Sequence, residues 1–299
     1  MGGVEFALNN LGLAIFTTVA PAGVAAFILV ALLLMAGRLS PAEREGLEHH
    51  MVIPLALATA GLVAAASHLG TPANALYVFI GVGRSGLSNE VLAAVLFLGT
   101  AGAWWLASFS NLRNHHALWG VWLVVTCMLG VVLLAGMAFA YRMGTVPTWD
   151  TPLVPINVWL TGLAAGCPVA LLTSLASHVG VPSLATGRQR ARCASWERGL
   201  IAVSAALTAL ACASMLVQNA QLAQMSGSWG TAASFAPHYG IAIALYALAS
   251  IAGLGLVGAA IRRPRKQALG LAVGGVALVF LGLFCVRFQF YCLHMTAGL

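Results

Sequence analysis

The sequence predicts an all-α integral membrane protein with eight transmembrane helices and both termini on the outer, periplasmic side. Three observations carry that expectation. Of the 299 residues, 61% are hydrophobic and 7% are charged, against roughly a quarter charged in an ordinary soluble domain, so there is too little polar surface to face water. Long stretches hold no Asp, Glu, Lys or Arg: Phe6 to Gly37, Val91 to Leu112 and Gly199 to Ile261. The basic residues, for their part, crowd into alternate connections. This composition excludes a soluble globular protein, a disordered chain and a nucleic-acid binder. The lipid bilayer is the solvent, and residues 1–299 form a single membrane domain.

A helix needs about 20 apolar residues to cross the hydrocarbon. Dividing the apolar runs at turn-forming clusters gives spans near 11–36, 51–69, 88–109, 117–141, 153–177, 198–222, 238–261 and 267–292. The first two are parted by the charged stretch from Arg38 to His50. Gly70, Thr71 and Pro72 end the second span as a turn, and Ser88 or Asn89 caps the third. Gln224, Ser226, Gly227, Ser228, Gly230 and Pro237 break the longest charge-free gap, because backbone of that kind cannot sit unpaired in lipid.

The first, third, fifth and seventh connections hold Arg38, Arg44, Arg113, Arg188, Arg190, Arg192, Arg262, Arg263, Arg265 and Lys266, with Arg198 at the adjoining helix start. That is eleven of the fourteen basic residues. The positive-inside rule puts those connections in the cytoplasm and both termini outside. The N-terminus has no basic n-region, so the first apolar run is not read as a secretory signal. A faint internal echo, residues 66–72 against 176–182, sits at opposite membrane faces, as an inverted repeat would.

Polar groups inside a membrane protein are expensive and tend to mark function. His49, His50, His115, His116 and His178 fall at the cytoplasmic ends of helices, and His68, His238 and His294 at the outer ends. None is near a helix centre, where a bis-His haem would need a facing pair, so no haem is expected. None of the six cysteines forms a C-x-x-C pair, so no iron–sulfur cluster and no metal site is expected within this chain. They read as small buried hydrophobes.

The outer face gathers the remaining polar groups: His68, Arg84, Glu90, Trp149, Gln218, Gln221, and Arg287, Tyr291 and His294 at i, i+4 and i+7 on one face of the last helix. Singly, each has a structural account. Glu90 in a first helical turn suits the positive helix end, Arg287 neutralises Glu90, and Trp149 and Tyr291 anchor at the interface. Their convergence on one side favours a site.

The segments His68-Leu69-Gly70 with Pro72, Leu87-Ser88-Asn89-Glu90, Thr145-Val146-Pro147-Thr148-Trp149, Gln218 with Ala220, Leu222 and Ala223, Pro237 with Tyr239-Gly240, and Arg287, Phe290-Tyr291 and Leu293-His294-Met295-Thr296 with Gly298 run in order through nearly the whole sequence. On these residues the sequence resembles the membrane-anchor subunit of bacterial dimethyl sulfoxide reductases, the DmsC family. The resemblance implies eight helices, no haem, and a subunit that oxidises menaquinol. Its electrons would pass to an iron–sulfur subunit carrying four [4Fe–4S] clusters and on to a molybdopterin catalytic subunit. It assigns His68 and Glu90 to the catalytic quinol site. Arg84, Trp149, Arg287, Tyr291 and His294 are the further candidate quinol-binding residues. Such a site needs an acceptor for each hydroxyl proton; a neutral imidazole is suited to accept one, and a carboxylate can pass it to water. Three alternatives stand beside this reading: a polysulfide-reductase-type anchor, a passive anchor without quinol chemistry, and a secondary transporter.

Overall fold

The computed structural model describes residues 2–37, 39–67, 72–177, 187–227 and 230–296. Within them the protein forms α1 (Gly3–Asn9), α2 (Leu11–Met35), α3 (Pro41–His50), α4 (Val52–Ala66), α5 (Gly86–Ala107), α6 (His116–Ala140), α7 (Leu153–Ser177), α8 (Gly187–Gln224), α9 (Tyr239–Ala260) and α10 (Arg265–Cys292). Short 3₁₀ turns cover Pro72–Gly81, Asn111–Asn114, Ala232–Phe235 and Leu293–Thr296. A minimal antiparallel ladder pairs Ser226 with Thr231 and Gly227 with Gly230. Among the described residues, eight helical stretches are long and apolar enough to cross a membrane, with α3 and α4 together making one of them.

The eight spans match the expected count, and three boundaries differ. The second span starts at Pro41 rather than near 51, because Ser40 and Glu43 form a reciprocal capping box with Pro41 just inside the helix. The sixth helix begins at Gly187, well before 198. The third begins at Gly86, capped by Ser85, whose hydroxyl accepts from the Ser88 N–H; neither Ser88 nor Asn89 is the cap. Asn89 instead accepts the Gly83 N–H at 2.7 Å, and Glu90 falls in the second helical turn rather than the first. The short α1 lies outside the expected spans.

Close approach of backbones organises the bundle around α2. A Cβ at Gly61 would meet Ala20, one at Gly23 would meet Ala58, and both contacts join α2 to α4. On its other flank, a Cβ at Gly162 would lie 2.9 Å from Pro21, and one at Gly166 2.7 Å from Ala25, which seats α7 on α2. Small residues let helices interlock where lipid supplies no hydrophobic drive between them. Gly253 and Gly275 bring α9 against α10 in the same way. The most buried side chains, among them Phe27, Phe97, Trp104, Leu133 and Met137, fill the space between α2, α5 and α6.

Two ends of the bundle differ in chemistry. One end joins α3 to its neighbours: Trp119 donates to the buried Glu48 at 3.0 Å, Trp105 to the His49 carbonyl at 2.8 Å, and Arg44 and Arg113 pair with Glu48 and Glu45. This is the end with the Arg-rich connections, called the basic end below. The opposite end brings α1, the start of α2, the end of α6, the 141–152 connection and the end of α10 together. Thr148 donates to the Leu293 carbonyl at 3.0 Å, and Trp149 to that of Phe290 at 3.2 Å.

Candidate functional site

The opposite end is where the expected site residues lie, and the helix ranges explain why. Glu90 is four residues past the start of α5, Thr161 eight past the start of α7, Gln218 six before the end of α8, and Arg287 five before the end of α10. At 1.5 Å per residue each sits within about 6–12 Å of the same end of the bundle. Tyr141 follows α6 and Tyr239 opens α9 at that end too.

Arg287 is 3% exposed, and its Nη2 donates to the Thr161 hydroxyl at 2.6 Å. Thr161 in turn donates to the Asn157 carbonyl at 2.6 Å. Beside this relay the Asn157 amide donates to Gln218 Oε1 at 2.9 Å, and the Tyr239 hydroxyl donates to the same oxygen at 3.2 Å. Three buried atoms here have no partner among the described residues: Arg287 Nε, Asn157 Oδ1 and Gln218 Nε2. Arg287 lies within electrostatic reach of four tyrosines, Tyr141, Tyr239, Tyr246 and Tyr291.

Glu90 is 4% exposed and packs its backbone against Gly136 of α6, where a Cβ would come within 3.3 Å. Ion pairs join Arg44 to Glu48, Arg113 to Glu45 and Glu48, and Arg142 to Asp150; among the described residues neither Glu90 nor Arg287 forms one. The expected neutralisation of Glu90 by Arg287 is therefore not a direct ion pair. The reason lies in the packing: α10 lies on α9, α7, α2 and α1, so α2 stands between it and the α4–α5 pair. Glu90 and Arg287 instead both lie within electrostatic reach of Tyr141 and Tyr291.

Tyr291 is fully buried, donates to the Leu13 carbonyl at 3.2 Å and is a hydrogen-bond neighbour of Tyr141. Trp149, 3% exposed, stacks on Phe290 with ring centroids 4.7 Å apart and meets Tyr291 edge-on. Neither is an interfacial anchor; both are buried packing elements. His294 stacks on Phe6 at 4.1 Å and meets Trp149 edge-on at 5.1 Å. Its partial burial lowers its pKa below the usual 6.5, which keeps the imidazole neutral at pH 7. Arg84 lies exposed in the turn before α5. His68 lies outside the described residues. The described backbone leaves α4 at Ser67, whose hydroxyl borders Gly12, next in sequence to the Leu13 that Tyr291 reaches.

The arrangement joins guanidinium donors, a buried carboxyl group and tyrosine hydroxyls in an aromatic setting, which suits a flat, uncharged ring bearing oxygens. Sequence reasoning did not place Tyr141, Tyr246, Asn157 or Thr161 in the site. The legible signal is Asn157, an amide inside an apolar span. Thr161 and the tyrosines carry none beyond composition.

A family model described as DMSO reductase anchor subunit (DmsC) matches residues 4–293. The protein belongs to this anchor-subunit family. Among its relatives is the YnfH subunit of anaerobic dimethyl sulfoxide reductase from Escherichia coli strain K12, 30% identical over 289 residues, covering 96% of this sequence and 95% of that one. The C subunit of anaerobic dimethyl sulfoxide reductase from the same strain is 30% identical over 290 residues, covering 96% of each. The corresponding C subunit of Haemophilus influenzae is 27% identical over 293 residues, covering 98% and 97%. Membership of the anchor-subunit family agrees with the eight apolar helices.

Proposed function

We propose that this protein anchors a dimethyl sulfoxide reductase-type complex in a bacterial cytoplasmic membrane and oxidises menaquinol at the end of the bundle that holds Glu90 and Arg287. Its electrons pass to an iron–sulfur subunit with four [4Fe–4S] clusters, which supplies a molybdopterin catalytic subunit. The observation that carries this reading is the pair of buried ionisable groups, Glu90 and Arg287, held without a described ion-pair partner around Tyr141 and Tyr291. Buried ionisable groups of this kind in apolar bundles accompany substrate or proton handling.

Oxidising a quinol removes two electrons and two hydroxyl protons. The Arg287 Nε–H is a donor without a described acceptor, and a quinol oxygen would complete it. Glu90 accepts one proton, and the neutral imidazole of His68 accepts the other. Electrons leave one at a time to a cluster docked on that end, so no haem or cluster within this subunit is required. With the termini and this end facing the periplasm, the protons exit on the side where the acceptor is reduced, and the reaction moves no net charge across the membrane.

His68→Ala tests the reading. The lost hydrogen bond in a partly desolvated site is worth roughly 1–3 kcal/mol, so the affinity for a menaquinol analogue should fall about tenfold or more. Turnover with a soluble artificial donor to the partner subunits should persist. Normal assembly with undiminished analogue affinity and quinol-dependent turnover would remove His68 from the site.

A further inference from the structure

At the basic end, α8 and α9 part to leave a cavity of about 860 Å³. Its mouth carries three guanidinium groups from two separate elements: Arg198 at the start of the membrane-crossing part of α8, and Arg262 and Arg263 just past α9. Its wall is formed by Ile201, Gly255, Gly258, Ala259 and Ile261. A Cβ at Gly255 would meet nothing within 4 Å, and one at Gly258 only Ile201 Cδ1 at 3.6 Å, so neither glycine is required by helix–helix contact. They keep a trough open. From Gly255 to Arg262 the polypeptide rises about 10 Å, which sets the arginines above the glycine-lined wall.

Topogenic charge alone would explain arginines in these connections. It does not explain an apolar slot beneath them. We propose that this groove is a binding site for an anionic phospholipid, its phosphodiester headgroup held by Arg198, Arg262 and Arg263 and one acyl chain lying along Gly255 and Gly258. Guanidinium groups match phosphate oxygens bidentately, and basic pockets between helices at a membrane surface select anionic headgroups. The site is remote from Glu90 and Arg287, at the other end of the bundle, and does not depend on the quinol reading.

Two variants separate the headgroup from the slot without altering net charge and hence topology. Gly258→Leu fills the slot, and Arg262→Lys with Arg263→Lys removes the bidentate forks. The purified full-length protein would be reconstituted in nanodiscs of phosphatidylglycerol and phosphatidylcholine, released, and weighed by native mass spectrometry. The wild type should retain phosphatidylglycerol in preference to phosphatidylcholine, and each variant should lower that retention by about tenfold. Millimolar inorganic phosphate should fail to displace the lipid, since it lacks the acyl tail. Equal retention of the two lipids, unchanged retention in both variants, or displacement by phosphate alone would overturn the proposal.

Discussion

A guanidinium at 3% exposure inside an apolar bundle is costly unless its donors are taken up. Arg287 places one donor on Thr161 and leaves Nε without a described acceptor. Sequence position alone identifies Arg287 as out of place in a transmembrane helix, but not its partner. That partner is a threonine in α7, a residue type too common in apolar helices to stand out. Glu90 is equally visible as the lone acid in its span, yet its helical turn is misread from sequence because Ser85, rather than Ser88 or Asn89, caps α5. Trp149 and Tyr291 have the composition of interfacial aromatics, and only the fold shows them packed on Phe290 and Tyr141. His294 supports a pH prediction. Burial lowers its pKa, so the unfolded protein binds more protons than the folded one as pH falls below about 6.5. Its stabilising contribution is complete above that pH and declines below it. A selectively labelled histidine titration by NMR should give His294 a midpoint below 6.5; a midpoint at or above 6.5 would contradict the burial against Phe6 and Trp149.

Helix identity is legible because charge-free runs of membrane length have no other stable use, while helix ends are less so. The stretch from Pro41 to His50 reads as a charged connection by composition, yet Ser40, Pro41 and Glu43 form a cap signature that extends the second span backwards. Its buried Glu48 accepts from Arg44 and Trp119 on Oε1, with the Arg113 guanidinium 3.9 Å from Oε2; Arg44 stands at i,i+4 spacing, but Trp119 cannot be paired with it from sequence. Which helices touch is likewise hidden, since glycines at lipid-facing and helix-facing positions look alike. The structure separates them. Gly166 faces Ala25 at a distance no added carbon can occupy, whereas Gly99 faces open space. Gly166→Leu should therefore disrupt α2–α7 packing, where overpacking typically costs about 1–3 kcal/mol or more, and lower the thermal midpoint of the purified protein. Gly99→Leu should leave it within a degree or so. Equal effects from the two would contradict the packing around α2.

On the scale of the whole molecule, the bundle is polarised: a basic end tied by Glu48 and the tryptophans, and an opposite end built on Glu90, Arg287 and the tyrosines. Side-sorting of residues in the sequence anticipates this division, because each span inverts the direction of the backbone and alternate connections must share a face. It does not supply the depth at which groups from α5, α6, α7 and α10 meet, which depends on where each helix starts. The echo between 66–72 and 176–182 falls largely outside the described residues. The proposed orientation puts the Glu90 end in the periplasm. A reporter enzyme active only outside the cytoplasm should be active when fused after Leu299 and inactive when inserted at 262–264; the reverse pattern would invert the topology.

Entry of electrons through Glu90 and its neighbours is tested most directly by single-turnover reduction of the iron–sulfur clusters by menaquinol in the assembled complex, followed by electron paramagnetic resonance. Glu90→Gln keeps the side-chain shape but removes the proton acceptor, and general base catalysis typically contributes about 10²–10⁴-fold. Cluster reduction by menaquinol should slow by at least about a hundredfold, while reduction by a soluble chemical donor stays unchanged. Menaquinol reducing the clusters of the Glu90→Gln complex at the wild-type rate would contradict the proposed role of this site.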